Sequence, residues 1–200
     1  MDRHLEHGAG LANAGRNKSM TSIGRELTDC GLLQFGLIGR DPWRLHIDLL
    51  PSYPELLHKL ATLAEACVEG VDRLLAANGA MAWGSALALR RGIPLVYCRG
   101  DELVGAYDIG HPTLLLASGQ ETDAELLALV ERAARVGLQV CVMVALLDSG
   151  RDCLAQVPVH SLVNLEYLVQ QRVSEGTLPA GQGRLIKRWL LNRRQGSTGP

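Results

Sequence analysis

The sequence predicts an α/β domain with a doubly wound, mainly parallel sheet flanked by helices. Two patterns carry that prediction. Short apolar, β-branched runs alternate with helical patterns along the chain, the order that builds parallel sheets through crossover helices. The run "LQVCVMVALLD" (138–148) is apolar almost without interruption, as a central parallel strand covered on both faces must be. With 200 residues, 47% of them hydrophobic, the chain is long enough to bury a core without disulfides or metal.

Residues 1–20, "MDRHLEHGAGLANAGRNKSM", are polar with weak periodicity and are expected to form a flexible tail. Residues 21–33 suit a short helix capped by Thr21 or Ser22, and "LHIDLL" (45–50) reads as a strand. A helix is expected from near Pro54, with Leu56, Leu57, Leu60, Leu63, Ala64 and Cys67 as its apolar stripe and Gly70 closing it. A strand over 71–79 runs into a Gly turn. The helix 81–91 follows, ended by Gly92, and "IPLVYC" (93–98) is β-rich. Thr113–Ala117 is the next strand, and "TDAELLALVERAARVG" (122–137) is a helix stopped by Gly137. After the central strand come "VPVHSL" (157–162), the helix "NLEYLVQQRVSEG" (164–176) and a basic amphipathic helix within 183–200. No repeat or second domain is visible. The expected organisation is one domain over 21–194 between tails at 1–20 and 195–200.

Charge excludes several functions. Lys plus Arg (20) nearly cancels Asp plus Glu (21), unlike a general nucleic-acid binder. The five cysteines, Cys30, Cys67, Cys98, Cys141 and Cys153, are scattered without CxxC spacing, so neither a disulfide framework nor a zinc site is expected. No apolar run reaches the ~18 residues a membrane span requires, and no signal core opens the chain. The reading is a cytoplasmic protein with no membrane and no nucleic-acid partner. GxSxG, GxxxxGK[ST] and GxGxxG motifs are absent.

The segment "PSYPELLHKLATLAEACVEGVDRLLAANGAMAWGSALALRRGIPLVYCRGDE" (51–102) resembles the centre of orotate phosphoribosyltransferases. The C-terminal "VPVHSLVNLEYLVQQRVSEGTLPAGQGRLIKRWL" (157–190) is similar in kind to the end of that domain in bifunctional UMP synthases. The resemblance covers roughly residues 30–192 and rests on segment order and helix phrases. It implies a type I phosphoribosyltransferase fold, a homodimer, and a place in pyrimidine nucleotide (UMP) synthesis.

The motifs that would carry the chemistry depart from that family. Its donor loop reads close to VDDVITTGGS: two acids meet ribose and metal, and small residues wrap the 5′-phosphate at a helix N-terminus. Here the loop is "LASGQETDAE" (116–125). The acids fall on Ala117 and Ser118, and the small residues on Glu121, Thr122, Asp123, Ala124 and Glu125. Carboxylates within about 5 Å of a phosphate cost on the order of tenths to a few kcal/mol each. Thr122 and Glu125 fit a capping box, which covers the helix's free N–H groups. The orotate phrase SGxxSPxYxDxR is met by "GRDPWRLHIDLL" (39–50) only at Asp48 and the apolar frame, with His46 for Tyr and Leu50 for Arg. Arg99 survives from the catalytic-loop start VRKE, but Gly100 takes the lysine position. The thirteen residues 100–112 contain no Lys or Arg to neutralise pyrophosphate. Ser149 stands where the family holds an arginine over orotate.

The expected remnants of a ligand site are therefore Asp48, Arg99, Ser118, Gly119, Gln120, Glu121 and Thr122, with no catalytic residue and no metal ligand. No cofactor is expected, Mg²⁺ entering only if the chain is an active transferase. Glu121, Asp123 and Glu125 read as a solvated first turn that compensates the helix dipole, the alternative being a cation site with Asp101 or Asp108. Arg99 is either a ligand-facing remnant or a surface strand end. His46 and His160 are assigned to packing, His111 to an exposed turn. Trp83 either fills the cavity left without substrate or stacks on a base, and Trp43 lies at the second pocket position. Arg184, Lys187, Arg188, Arg193 and Arg194 are expected to form a cationic face, with Leu185, Ile186, Trp189 and Leu190 docking on the domain or a dimer partner.

The resulting reading is an inactive homologue that binds a nucleotide-like molecule or regulates a pyrimidine-pathway enzyme. The alternatives are an active orotate phosphoribosyltransferase with an atypical loop, and an assembly subunit without a small ligand.

Overall fold

A computed structural model describes residues 22–38, 41–106, 108–148 and 150–196. The expected tail at 1–20, Thr21, Ser149 and residues 197–200 lie outside them. Helix α1 (22–29) leads into an antiparallel hairpin of β1 (Leu33–Ile38) and β2 (Asp41–Leu45). A 3-10 turn (Ile47–Ser52) and α2 (Pro54–Ala64) follow. The main sheet is built from β3 (Arg73–Ala76), β4 (Leu95–Arg99), β5 (Glu102–Val104), β6 (His111–Ala117), β7 (Leu138–Leu147), β8 (Cys153–Leu154) and β9 (Val157–Val163). Its other helices are α3 (Met81–Arg91), α4 (Asp123–Arg135), α5 (Leu165–Ser174) and α6 (Ala180–Gly196).

The strand order is β5-β4-β3-β6-β7-β9-β8. The five inner strands are parallel, and the short edge strands β5 and β8 run antiparallel to their neighbours. Residues alternate between two buried faces, as a doubly covered sheet requires. Leu74, Ala76, Leu114, Leu116, Val144 and Leu146 face one core with Leu60, Trp83, Leu87, Leu168, Ile186 and Leu190. Leu75, Leu115, Ala117 and Met143 face the other, where α4 supplies Leu126, Leu129 and Ala133. Among the described residues, α4 is the only helix contributing to that second core.

The chain moves outward in opposite directions from β3 and β6, so α3 and α4 cover opposite faces. The turns after β3 and β6 therefore diverge and leave a crevice at the strands' carboxyl ends, where open α/β sheets bind ligands.

The structure departs from the sequence reading at the hairpin. Residues 45–50 are not a strand: β2 ends at Leu45, and the chain turns into the 3-10 segment containing Pro51. Proline has no N–H to give a ladder, and it restricts the residue before it. Leu45 and Leu50 are buried while Asp48 and Leu49 are exposed, which is not strand alternation. The helix expected over 21–33 stops at residue 29 because Leu33 begins β1. α6 continues through residues 195–196, where a tail was expected.

Candidate functional site

The crevice lies between the turn after β3 and the loop after β6. At Gly79, an added Cβ would sit 3.2 Å from Ser118 Cβ and Oγ and 3.3 Å from Glu121 Oε1. A side chain here would press on Ser118 and Glu121 unless they gave way, so glycine lets the two turns approach closely. Gly119, at φ +96°, holds the loop in a left-handed conformation. A Cβ there would lie 2.4 Å from the Leu147 carbonyl oxygen at the end of β7.

This backbone points its amides at one carboxylate, and the carboxylate belongs to the loop itself. Ser118 N–H donates to Glu121 Oε1 (2.9 Å) and Oε2 (3.0 Å), and Gly119 N–H donates to Glu121 Oε2 (2.9 Å). Gln120 N–H donates to Ser118 Oγ (3.1 Å). Thr122 N–H donates to Glu125 Oε2 (2.7 Å), and Glu125 N–H returns a bond to Thr122 Oγ1 (3.2 Å), completing the expected capping box. The amides of residues 118, 119, 120 and 122 thus all have side-chain acceptors from within the loop or its helix. The Thr122 backbone N–H, then its hydroxyl, lowers the Glu125 carboxyl below its ordinary value; the Arg151 charge adds to this, and partial burial opposes it.

Two ties anchor the loop from outside. The Gln120 side-chain amide accepts from Leu45 N–H (3.1 Å) and donates to Leu45 C=O (2.8 Å), taking the place of a strand partner at the end of β2. Arg151, with only 1% of its side chain exposed, donates to the Asp123 carboxylate and to the Glu121 carbonyl oxygen. Beyond it, α6 adds a cationic layer. Arg193 stands 4.0 Å from Asp123 and 4.9 Å over the Trp189 ring, and Arg194 reaches Asp148 (3.5 Å) and Glu166 (3.4 Å). Burial, then repulsion from Arg151, lowers the Arg193 pKa from its usual value, against Asp123 and Asp41.

The expected remnants divide into two groups. Ser118, Gly119, Gln120, Glu121 and Thr122 are brought together in the loop just described. Arg99 is exposed at the end of β4, across β3 from the loop, and Asp48 is exposed in the 3-10 turn. Neither makes a hydrogen bond or ion pair with the loop. Glu121 is not the solvated residue the sequence implied, because its carboxylate is taken up by amides; Glu125 keeps the capping role.

Other side chains partly meet and partly depart from expectation. His160 is exposed on β9 and not packed. His111 opens β6, half-buried, with Asp72 3.4 Å from one ring nitrogen and Arg73 3.4 Å from the other. His46 is half-buried, and its backbone N–H donates to Leu32 C=O (2.8 Å). Trp83 is fully buried in the first core with Leu60, Leu87 and Leu116, which leaves no ring face for a base. Trp43 is buried edge-on against Trp189, at 5.6 Å and 87°. Of the basic run, Arg193 and Arg194 fold inward onto acids, so the cationic face is narrower than expected. Ile186 and Leu190 are buried, while Leu185 is exposed.

A divalent cation does not fit the donor set here. The strand end offers Ala117 and Ser118, and the loop's carboxylates are held by amides or by Arg151. Asp101 lies exposed near Arg132 (3.8 Å), and Asp108 caps the Ile109 N–H (2.8 Å). Among the described residues no three His, Cys, Asp or Glu side chains are grouped to hold a metal.

Sequence reasoning missed Arg151, Gly79 and the pairing of Gln120 with Leu45. A lone arginine just past a long apolar strand was a readable signal for the first. The other two depend on contacts between distant segments.

No protein-family model matches the sequence, and no curated protein matches it. Solved structures do. The UMP synthase of Leishmania donovani superposes with a TM-score of 0.73 at 19% identity, over 86% of this chain and 42% of that one. The chain thus spans less than half of that protein. The orotate phosphoribosyltransferase of Francisella tularensis gives 0.62 at 17% identity, over 83% of this chain and 96% of that one. The Mycobacterium tuberculosis H37Rv enzyme in complex with 5-phospho-α-D-ribosyl 1-diphosphate gives 0.62 at 14%, over 75% and 98%. The chain has the type I phosphoribosyltransferase fold in its orotate phosphoribosyltransferase-like form.

Proposed function

We propose that this protein is a catalytically inactive relative of orotate phosphoribosyltransferases, serving pyrimidine nucleotide synthesis as a ligand-binding or regulatory homologue. One observation carries the reading: the loop after β6 is closed on its own carboxylates, Glu121 on the Ser118 and Gly119 amides and Glu125 on the Thr122 amide. A second anion at the same amides would meet that charge at contact distance. Phosphoribosyl transfer needs groups that neutralise the leaving pyrophosphate and organise its metal. The end of β6 offers Ala117 and Ser118 for the metal, and residues 100–112 offer no Lys or Arg for the pyrophosphate.

The ligand in this reading is a nucleotide-like molecule held outside the loop amides, and the partner is a pyrimidine-pathway enzyme or a second copy of the chain. Exposed Met81 and Leu89, two turns apart on the outer face of α3, support pairing through that helix. Calorimetric titration with phosphoribosyl pyrophosphate and Mg²⁺, with orotate and with UMP, alongside an orotate-consumption assay, tests the proposal. The expected result is no donor binding and no loss of orotate. Steady conversion of orotate to orotidine monophosphate would establish the active transferase instead. Donor binding without conversion would place an intact phosphate site on an inert protein and overturn the stated reason for inactivity.

A further inference from the structure

We propose that the last turn of α6 is a strap that holds the β1–β2 hairpin shut against the loop beside the crevice, and that releasing it frees hairpin and loop together. The inference goes beyond the function proposed above and holds whether or not the chain catalyses transfer.

The hairpin depends on ties from outside. It forms a two-stranded sheet of its own, separate from the seven-stranded one, and two strands alone are marginally stable. Leu33, Trp43 and Leu45 pack one side of it into the first core. The two ends of β2 are held differently. At Leu45, the Gln120 side chain bonds both backbone groups (3.1 and 2.8 Å), which joins the hairpin to the loop after β6. At the other end, Trp189 of α6 donates its indole N–H to the Asp41 carboxylate (3.0 Å) and stands edge-on to Trp43.

The same turn of α6 reaches three further elements. Arg193 lies over the Trp189 ring and faces Asp123 at the start of α4, while Arg194 faces Asp148 after β7 and Glu166 in α5. Gly150, at φ +80°, lets the chain after β7 lie against this turn. A Cβ there would stand 3.0 Å from the Leu190 carbonyl oxygen and 3.4 Å from Arg194 Cγ. Trp189, Arg193 and Arg194 thus gather the hairpin, the start of α4 and the end of β7 at one point.

The chemistry of these contacts makes the strap releasable. The three ion contacts are long, at 4.0, 3.5 and 3.4 Å, and the Arg193 and Arg194 side chains are 25% and 38% exposed. Pairs of that kind contribute little one by one and are screened by salt. Arg193 is also partly desolvated and repelled by Arg151, so Asp123 and the Trp189 ring must hold it in place. On the inner side of α6, Ile186 and Leu190 are buried in the first core. The body of the helix therefore stays docked when its last turn lets go. Release uncovers Trp43 and leaves the hairpin held by Gln120 and its core side, free to move at its Asp41 end.

Site-resolved hydrogen exchange tests this on the full chain, comparing wild type, the double variant Arg193→Ala, Arg194→Ala, and the single variant Asp41→Ala. In the double variant, exchange should be at least about tenfold faster at the amides of β1, β2 and residues 118–120, with β3 and β4 changed by less than about twofold. Asp41→Ala removes the tie to Trp189 from an exposed position, and should shift the same amides in the same direction. Unchanged exchange at the hairpin of a folded double variant would overturn the proposal. So would acceleration spread equally over β3 and β4, which marks a general loss of stability, or a hairpin that speeds up while the loop amides do not. If the double variant does not fold, Asp41→Ala decides by the same criteria. These outcomes are separate from orotate turnover and donor binding, which bear only on the proposed function.

Discussion

At the scale of single residues, the loop after β6 shows how one side chain can change the meaning of a backbone. Glu121 was legible in the sequence as a charge in the wrong place for a phosphate, but its destination was not. Periodicity places a residue on an element; it does not say whether a carboxylate folds back two or three positions to its own amides. Glu125 was fully legible, because a capping box is a local pattern. Its depressed pKa fixes a pH dependence. A carboxylate whose folded pKa lies below its ordinary 4.5 contributes stability that is complete above that value and is lost as pH falls through the folded one. Thr122→Ala removes the hydroxyl part of that preference and the cap. It should lower stability at neutral pH by about 1 kcal/mol and flatten the acid limb, as read from urea denaturation at a series of pH values. An unchanged acid limb would show that Glu125 gains nothing from the Thr122 hydroxyl.

Among the elements, strands and helices with strong periodicity were found where expected, from α2 through α6. The hairpin β1–β2 and the edge strands β5 and β8 were not anticipated. Edge strands of two or three residues carry too little pattern to separate from loop, and β1 and β2 are defined by pairing with each other. The connection from β8 to β9 is a two-residue turn in which Ala155 (φ +46°) and Gln156 (φ +70°) are both left-handed. Residues with a Cβ sit there at a cost of about 1 kcal/mol each. Asn-Gly is the pair such a turn favours. The double change Ala155→Asn, Gln156→Gly should therefore raise the thermal midpoint, by an amount corresponding to about 1 kcal/mol. A lower midpoint would mean that the turn is not of this type.

For the molecule as a whole, the doubly wound sheet was the most readable property, because it follows from the order of elements and the apolar run at 138–148. The site was less readable, since it joins residues 45, 79, 118–125 and 151, which only the folded chain brings together. The two faces of the sheet are unequally protected: α1, α2, α3, α5 and α6 share one core, while among the described residues α4 is the only helix in the other. Leu126 is 1% exposed in that second core. Leu126→Ala should cost about 2–4 kcal/mol, and should speed amide exchange in α4 and β6 by at least about tenfold relative to α2. Equal acceleration in all elements would indicate that the molecule opens as one unit.

That imbalance bears on what could ever enter the crevice. The loop beside it runs straight into the helix that alone, among the described residues, covers the sheet's second side. A visitor strong enough to pry the loop outward would lift that roof and bare aliphatic surface to water. Displacing the loop that far would cost packing in the second core as well as the three hydrogen bonds that Glu121 accepts.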